Sequence, residues 1–422
     1  MADLRGRVQG RRLTREVEAR MNSDASHAPT GPTGVRALPL EQVRVRPLAE
    51  RQSLSRLEQI LISPDDSPPV LSEPVAELVA EAADRIRQAR ATGAAVMLIY
   101  GAHLVKNGLM DVVIRLMERG WITHLATNGA GTIHDWELAF LGRTEESVRA
   151  HVAQGCFGTW DETGRYLHLA LAVGALRGEG WGRSLGRFIA EEGLELPEPG
   201  ALEQAIRQSP QDPRTPARAE LLQMIVRHGL APGRWTVKHP HKAHSLPARA
   251  FELGIPFTVH PGIGYDIIAT HPWFNGAVLG RAAQLDFALF GGSVERLDGG
   301  VVLSVGSAIM GPQVFEKSLS CVNNLRLQAG RPTVRGHTIY VVDLQDGGGW
   351  DWSRGEPPKD NPAYYLRFCK SYARMGGCMR YVQSDNRMFL SGLWHRLKGE
   401  AVGATPGARA AALSEDAIGD GS

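Results

Sequence analysis

The sequence predicts an α/β protein: a parallel sheet with helices on both faces. Three observations carry that expectation. Apolar runs of strand length alternate with segments of helical period, several of the runs end in glycine-containing turns, and 422 residues that are 43% hydrophobic can bury a large core.

The first unit sets the pattern. Ala94–Tyr100 (AAVMLIY) reads as a buried strand, Val105–Arg119 as an amphipathic helix and Ile122–Thr127 as a second strand. A strand, helix and strand in that order imply a parallel pair joined by a crossover. The alternation continues with a helix over Ser245–Leu253, a strand at Ile255–His260, a helix after Pro272, and strands at Asp286–Phe290 and Gly300–Val305. A helix from about Pro312 and a strand at His337–Val342 follow, and helices close the chain after Pro362. The segment His151–Arg234, broken by GEGWG and SPQDPRTP, reads as a helical insertion or cover.

The ends differ in character. Met21–Gly34 is small, polar and broken by proline and glycine, and the stretch from Gly399 is similar. The expected organisation is therefore a mostly flexible arm over 1–55, a single α/β domain over 56–398 and a flexible tail over 399–422. The Arg-rich start lacks the apolar stretch of a signal peptide, and Asp3, Glu16 and Glu18 weigh against a transit peptide. With 47 Lys+Arg against 45 Asp+Glu, nothing favours nucleic acid or an anionic membrane as partner. Cys156, Cys321, Cys369 and Cys378 form no CxxC pair and are too sparse for a disulfide framework, so a reducing cytoplasm is expected.

The candidate site lies at the strand ends. In an open parallel sheet, ligands bind beyond the carboxyl ends, where free backbone N–H groups and helix N-termini stabilise phosphate charge. Gly101-Ala102, Thr127-Asn128-Gly129, His260 to Asp266, and Gly306-Ser307 all fall there. None forms a clean GxGxxG, and each alone also suits a plain tight turn. Asp266 is placed either to bond a ribose hydroxyl or to cap a following helix. His239, His241 and His244 lack accompanying acids, and no metal site is expected from them. The loop Asp343–Trp352, with Arg354 and Glu356 beyond it, either holds a cation between carboxylates and indoles or is a polar surface loop.

Taken in order, these segments resemble the deoxyhypusine synthase family. The family's SNLVSSG segment is similar to Ala102–Gly108, TTAGG-E-E-D to Thr127–Asp135, and WTPSK to Trp235-Thr236. Its IPVFSP…GSLGD is similar to Ile255–Ile267, IILGGG to Val302–Ala308, and FDGSDSGA to Gln345–Gly349; the likeness runs from about Pro69 to Leu397. The resemblance implies a Rossmann-like NAD-binding fold, a homotetramer, a polyamine substrate of spermidine type, and passage of an aminobutyl group through an enzyme-lysine imine to a protein lysine acceptor.

The departures matter as well. The family's paired glutamates fall on Ile133 and His134, so Asp135 or Glu137 would have to substitute, and its WGK lysine context falls on Tyr365-Leu366-Arg367, with Lys370 just beyond. An arginine stays charged and cannot form the imine. The candidate cofactor residues are Gly101, Ala102, Thr127, Asn128, Gly129, Asp266, Gly306, Ser307 and Asp346. Lys370, His134 and His260 are the candidate catalytic residues, and Asp351 and Glu356 the candidate substrate ligands. Two alternatives stay open: NAD-dependent chemistry without a lysine imine, and nucleotide binding without turnover.

Overall fold

The computed structural model describes residues 35–400 and Val402. Residues 1–34 of the expected arm and most of the expected tail therefore lie outside the described residues.

Six strands form the central sheet: β1 (Val96–Tyr100), β2 (His124–Thr127), β3 (Phe257–Val259), β4 (Val301–Val305), β5 (Thr338–Asp343) and β6 (Cys378–Gln383). All neighbours pair parallel, in the spatial order β3-β2-β1-β4-β5-β6. The chain thus runs outward from β1 through β2 to β3, returns to place β4 on the other side of β1, and runs outward again. This is the Rossmann-like order, and the reversal between β1 and β4 is its topological switch point.

Strand alternation explains the two cores. From β1, Val96, Leu98 and Tyr100 join one cluster with Leu125, Leu303 and Val342, against helices α1 (Glu73–Ala91) and α2 (Met110–Glu118). Met97 and Ile99 point the other way and join Val302, Ile339 and Val341. That second face is covered by Phe290 and Val294 of helix α7 (Gly276–Val294), Phe315 and Leu319 of α8 (Met310–Gln328), and Phe368 and Tyr372 of α9 (Arg367–Ala373). A parallel sheet buried on both faces needs near-continuous apolar strands, and β1 is buried at all five positions.

Four expectations are corrected. Asp286–Phe290 is not a strand but part of α7, in which Asp286, Phe290 and Val294 are buried on one helical face at intervals of four. The expected helix over Val105–Arg119 is split into a turn at His103–Lys106 and α2. Gly108 causes the break: its φ is +74°, and a Cβ there would lie 1.9 Å from the carbonyl oxygen of Ile60. The chain beyond Pro362 is not all helical, since β6 adds a sixth strand before helix α10 (Asn386–Leu397). As an edge strand it is only half buried, and its Arg380 reaches Glu81 of α1 at 3.1 Å, which hides the alternation in sequence. The insertion is helical, as in α4 (Asp161–Ala175), except for an antiparallel pair, Gly193–Leu196 with Gly233–Thr236.

Two buried aspartates fasten helix starts across the fold. Asp286 accepts from the backbone N–H groups of Gly182 (3.0 Å) and Val259 (2.8 Å), joining the start of α5 (Trp181–Ala190) to β3. Asp135, on helix α3 (Gly129–Leu141), accepts from the Ser245 hydroxyl (2.6 Å) and the Leu246 N–H (2.9 Å) at the start of α6 (Leu246–Glu252). Burial pushes both carboxyls up, to about 7, against these hydrogen bonds. Upstream, Leu48 is fully buried and Arg46 bridges to Trp160, so residues 46–51 pack on the body of the protein.

Asp286→Ala leaves two buried N–H groups without an acceptor, and each such orphan costs roughly 1–3 kcal/mol. Chemical denaturation should show a loss on the order of 2–4 kcal/mol; a loss below about 0.5 kcal/mol would remove Asp286 from this role.

Candidate functional site

At the switch point the two strand ends touch. Gly101 follows β1 and donates its N–H to Val305 O at 3.3 Å, and a Cβ on Gly101 would lie 2.2 Å from the Gly306 carbonyl oxygen. Only glycine fits there. Gly306 has φ +60° with open space around it, and Ser307 behind it accepts from the Gly311 N–H at 3.1 Å. Among the described residues, no hydrogen-bond acceptor serves the N–H groups of Ala308 and Ile309, at the start of α8. Ala102 begins the turn His103–Lys106.

The turn after β2 is built differently. Thr127 is buried with its hydroxyl on Tyr100 O (3.0 Å), and Asn128 caps α3 by accepting from the Gly131 N–H (2.9 Å). Asp266, from the turn after β3, makes no side-chain cap to the segment that follows it. Its carboxylate instead accepts from the Gly262 N–H (2.9 Å) and faces the N–H groups of Ala130 and Gly129, and a Cβ on Gly129 would collide with it at 2.5 Å. The start of α3 is therefore already occupied by this chain's own anion. Burial raises the Asp266 carboxyl above its ordinary range despite those three N–H groups.

Beside these turns lies a cavity of about 270 Å³, lined by Lys106, His134, Glu137, Glu145, Tyr265 and Asp266 among others. Arg51 and Glu137 form a buried two-pronged pair at 2.7 and 2.8 Å. Glu137 also accepts from the hydroxyls of Thr163 (2.9 Å) and Thr144 (2.5 Å). Burial alone would raise the Glu137 carboxyl, but the Arg51 charge and these donors hold it below its ordinary value. His134 Nδ1 meets Thr144 Oγ1 at 2.7 Å, and burial keeps its imidazole below the usual histidine pKa. Lys106 pairs with Glu145 at 2.6 Å, and Ser55 donates to the same carboxylate. Glu145 has φ +70°, a conformation that costs a non-glycine residue energy and that collects at functional sites. With Glu146, the lining holds four carboxylates against the two cations Arg51 and Lys106.

The remaining predicted residues separate from this cavity. His260 closes β3, where its ring contacts Thr258 Oγ1 at 3.1 Å, and Thr258 in turn contacts His124 at 2.9 Å; desolvation pushes His260 down to about 4. Asp346 is exposed and turns its own loop through the Gly348 N–H, Asp351 caps the turn Trp352–Arg354, and Glu356 pairs with Arg374. Lys370 places its ammonium 3.6 Å over the Tyr364 ring. These four lie on the second half of the sheet edge, whereas His134 and Asp266 lie on the first. Sequence reasoning missed Arg51, Lys106, Thr144 and Glu145. Arg51 fell in the expected flexible arm, and the available signal was the Glu145-Glu146 pair following Arg143-Thr144.

The histidine group disperses: His239 is buried against Trp136 and Phe188, while His244 bonds Asp111 at 2.8 Å. Among the described residues no three His, Cys, Asp or Glu side chains gather as metal ligands, all four cysteines are free, and no helix is long and apolar enough to cross a membrane.

No family model matches the sequence, and no curated protein does. Among solved structures, the chain is similar to ArgZ, an arginine dihydrolase from the ornithine–ammonia cycle in cyanobacteria, at 15% identity and TM-score 0.37, covering 78% of this chain and 33% of that one. It is similar to AgrE in a ternary complex with ornithine and NAD+ at 13% identity and TM-score 0.38, covering 79% and 34%. A protein from Entamoeba histolytica named as a deoxyhypusine synthase matches at 8% identity and TM-score 0.37, covering 78% of this chain and 91% of that one. The chain thus spans about a third of the length of the first two. All three likenesses are distant, and the Rossmann-like order rests on this chain's own strands.

The buried histidines set a pH dependence. Desolvation pushes His168, His239, His260 and His337 to about 4, and His124 and His271 to about 3. Unfolded imidazoles take up protons near 6.5, so between about pH 6.5 and 4 the unfolded state binds more protons and stability falls as pH falls. Asp135 and Asp286 act oppositely, since their folded carboxyls hold protons up to about 7 and favour the fold as pH drops from 7 towards 4. The imidazoles outnumber these carboxyls, so the melting temperature should drop by several degrees between pH 7 and pH 5.5. A constant or rising melting temperature in a pH series would contradict this balance.

Proposed function

We propose that the protein is an NAD-dependent enzyme that oxidises an amine, with a polyamine of spermidine type as the candidate substrate. The observation that carries the reading is the meeting of Gly101 and Gly306 at the switch point of a β3-β2-β1-β4-β5-β6 sheet. Gly306 and the N–H groups of Ala308 and Ile309 before α8, with Ser307 holding the first turn of that helix through the Gly311 N–H, suit the diphosphate, because the space at Gly306 is open and the helix end favours negative charge. The start of α3, already filled by Asp266, does not suit it. Gly101, Ala102, Thr127, Asn128 and Gly129 would then lie along one half of the dinucleotide, and Asp346 along the other. Bound in this way, oxidised nicotinamide would supply a hydride acceptor.

The carboxylate excess around the neighbouring cavity supports an ammonium-bearing substrate rather than an anionic one. A second reading, oxidation without transfer through a lysine, is favoured by Lys370: its ammonium rests on Tyr364, and it does not line the cavity that holds His134. The homotetramer and the protein lysine acceptor belong to the first reading and rest on the family resemblance, whereas a cytoplasmic location rests on the sparse cysteines. Borohydride treatment during turnover separates the two readings: a substrate adduct on Lys370 or Lys106 supports transfer, and its absence supports oxidation alone.

Gly306→Asp tests the dinucleotide site directly. An aspartate adopts φ +60° at a modest strain that asparagine shares, and its Cβ meets no neighbour within 4 Å, yet it places a negative charge where the diphosphate is proposed. Calorimetry should show NAD+ binding to the native protein, a loss of roughly tenfold or more in Gly306→Asp, and a smaller loss in Gly306→Asn. Equal affinity in all three would exclude this placement.

A further inference from the structure

We propose that Glu137 and Thr144 are positioning residues that fix one tautomer of His134, so that its Nε2 serves the cavity as a proton acceptor for a primary ammonium substrate. The inference rests on the amine-oxidising reading above for its substrate class, but its geometry stands on its own.

Hydrogen-bond inventory settles the direction of the chain. Glu137 is paired with Arg51 and is ionised, so its oxygens only accept. Thr144 has a single hydroxyl proton, and at 2.5 Å from Glu137 Oε2 that proton is donated to the carboxylate. Thr144 Oγ1 must then act as acceptor towards His134 Nδ1, 2.7 Å away. The proton of neutral His134 therefore sits on Nδ1, and the lone pair sits on Nε2. Among the described residues Nε2 has no hydrogen-bond partner, and the half-buried ring lines the cavity. Both lines of support converge on Glu137, since Thr163 and Arg51 hold its other positions and leave it no freedom to turn away.

The step balances simply. A substrate ammonium N–H bond breaks, an N–H bond to His134 Nε2 forms, and the electron pair stays on the substrate nitrogen. The resulting imidazolium faces Glu137 through Thr144, which stabilises its charge as a carboxylate does behind other catalytic imidazoles. The neutral amine that remains carries the lone pair that an oxidation at its α-carbon requires.

Nitrogen-15 NMR of histidine-labelled protein, with His134 assigned from His134→Gln, reads the tautomer without any turnover. The native protein should show the Nδ1–H form. Thr144→Val, which keeps the shape and removes the hydroxyl, should lose that preference and lower kcat roughly 10- to 100-fold with KM for the amine changed less than about twofold. Thr144→Ser should restore both. An Nε2–H tautomer in the native protein would overturn the proposal, as would a Thr144→Val variant with altered tautomer and undiminished kcat. Should the native protein show the Nδ1–H form yet bind no NAD+, the dinucleotide reading fails and the tautomer assignment stands.

Discussion

A buried carboxylate accepting backbone N–H groups from the start of a helix elsewhere in the chain is the interaction on which the first half of this structure depends. Asp135 holds α6, Asp286 holds α5 to β3, and Asp266 holds α3 to the turn after β3. Each helix start leaves N–H groups that must find acceptors once water is excluded. Supplying them from a distant segment ties the insertion to the sheet, so that the order of β1, β2 and β3 and the placing of their turns become one problem. The cost is visible in the raised carboxyl pKa values, because burial disfavours the ionised form that would accept most strongly.

The same interaction distinguishes the helix starts along the sheet edge. A Rossmann-like edge offers several helix starts to an anion, and here the one after β2 is already neutralised from within by Asp266. The start of α8 is not, and it follows a glycine whose left-handed backbone keeps side chains away. On the reading proposed above, the diphosphate would therefore lie towards β4, with the space over β1 to β3 left for a smaller polar ligand. Once Arg51 is paired with Glu137, the lining of that space keeps three carboxylates, Glu145, Glu146 and Asp266, against the one cation Lys106.

Much of the fold was legible because its strands are buried on both faces and read as unbroken apolar runs. Ala94–Tyr100 and Gly300–Val305 were recognisable for that reason. The run at Asp286–Phe290 had the same look, but five apolar-rich residues carry no period, and only the spacing of Asp286, Phe290 and Val294 over about two turns reveals the helix. β6 was hidden by the opposite property: an edge strand bearing Arg380 has no apolar run to show. At the site, glycines at strand ends were readable as close backbone approaches, since a Cβ at Gly101 or Gly129 has nowhere to go. The cavity was not, because Arg51 and Glu137 are 86 residues apart and their pairing is a property of the packed chain.

The buried pair of Arg51 and Glu137 is a poor device for stability alone. Removing two charges from water costs several kcal/mol each, and well-packed apolar residues often do as well or better. What the pair provides is direction. Glu137 accepts four hydrogen bonds, two from a planar guanidinium and two from threonine hydroxyls, which satisfies both oxygens and leaves the carboxylate one orientation. A carboxylate so constrained dictates where Thr144 sends its proton and, through it, which nitrogen of His134 is free. The cost of burying the ions is intelligible if the ordering of that imidazole is what the arrangement secures, and a segment at the N-terminal edge of the described chain is thereby made part of the site.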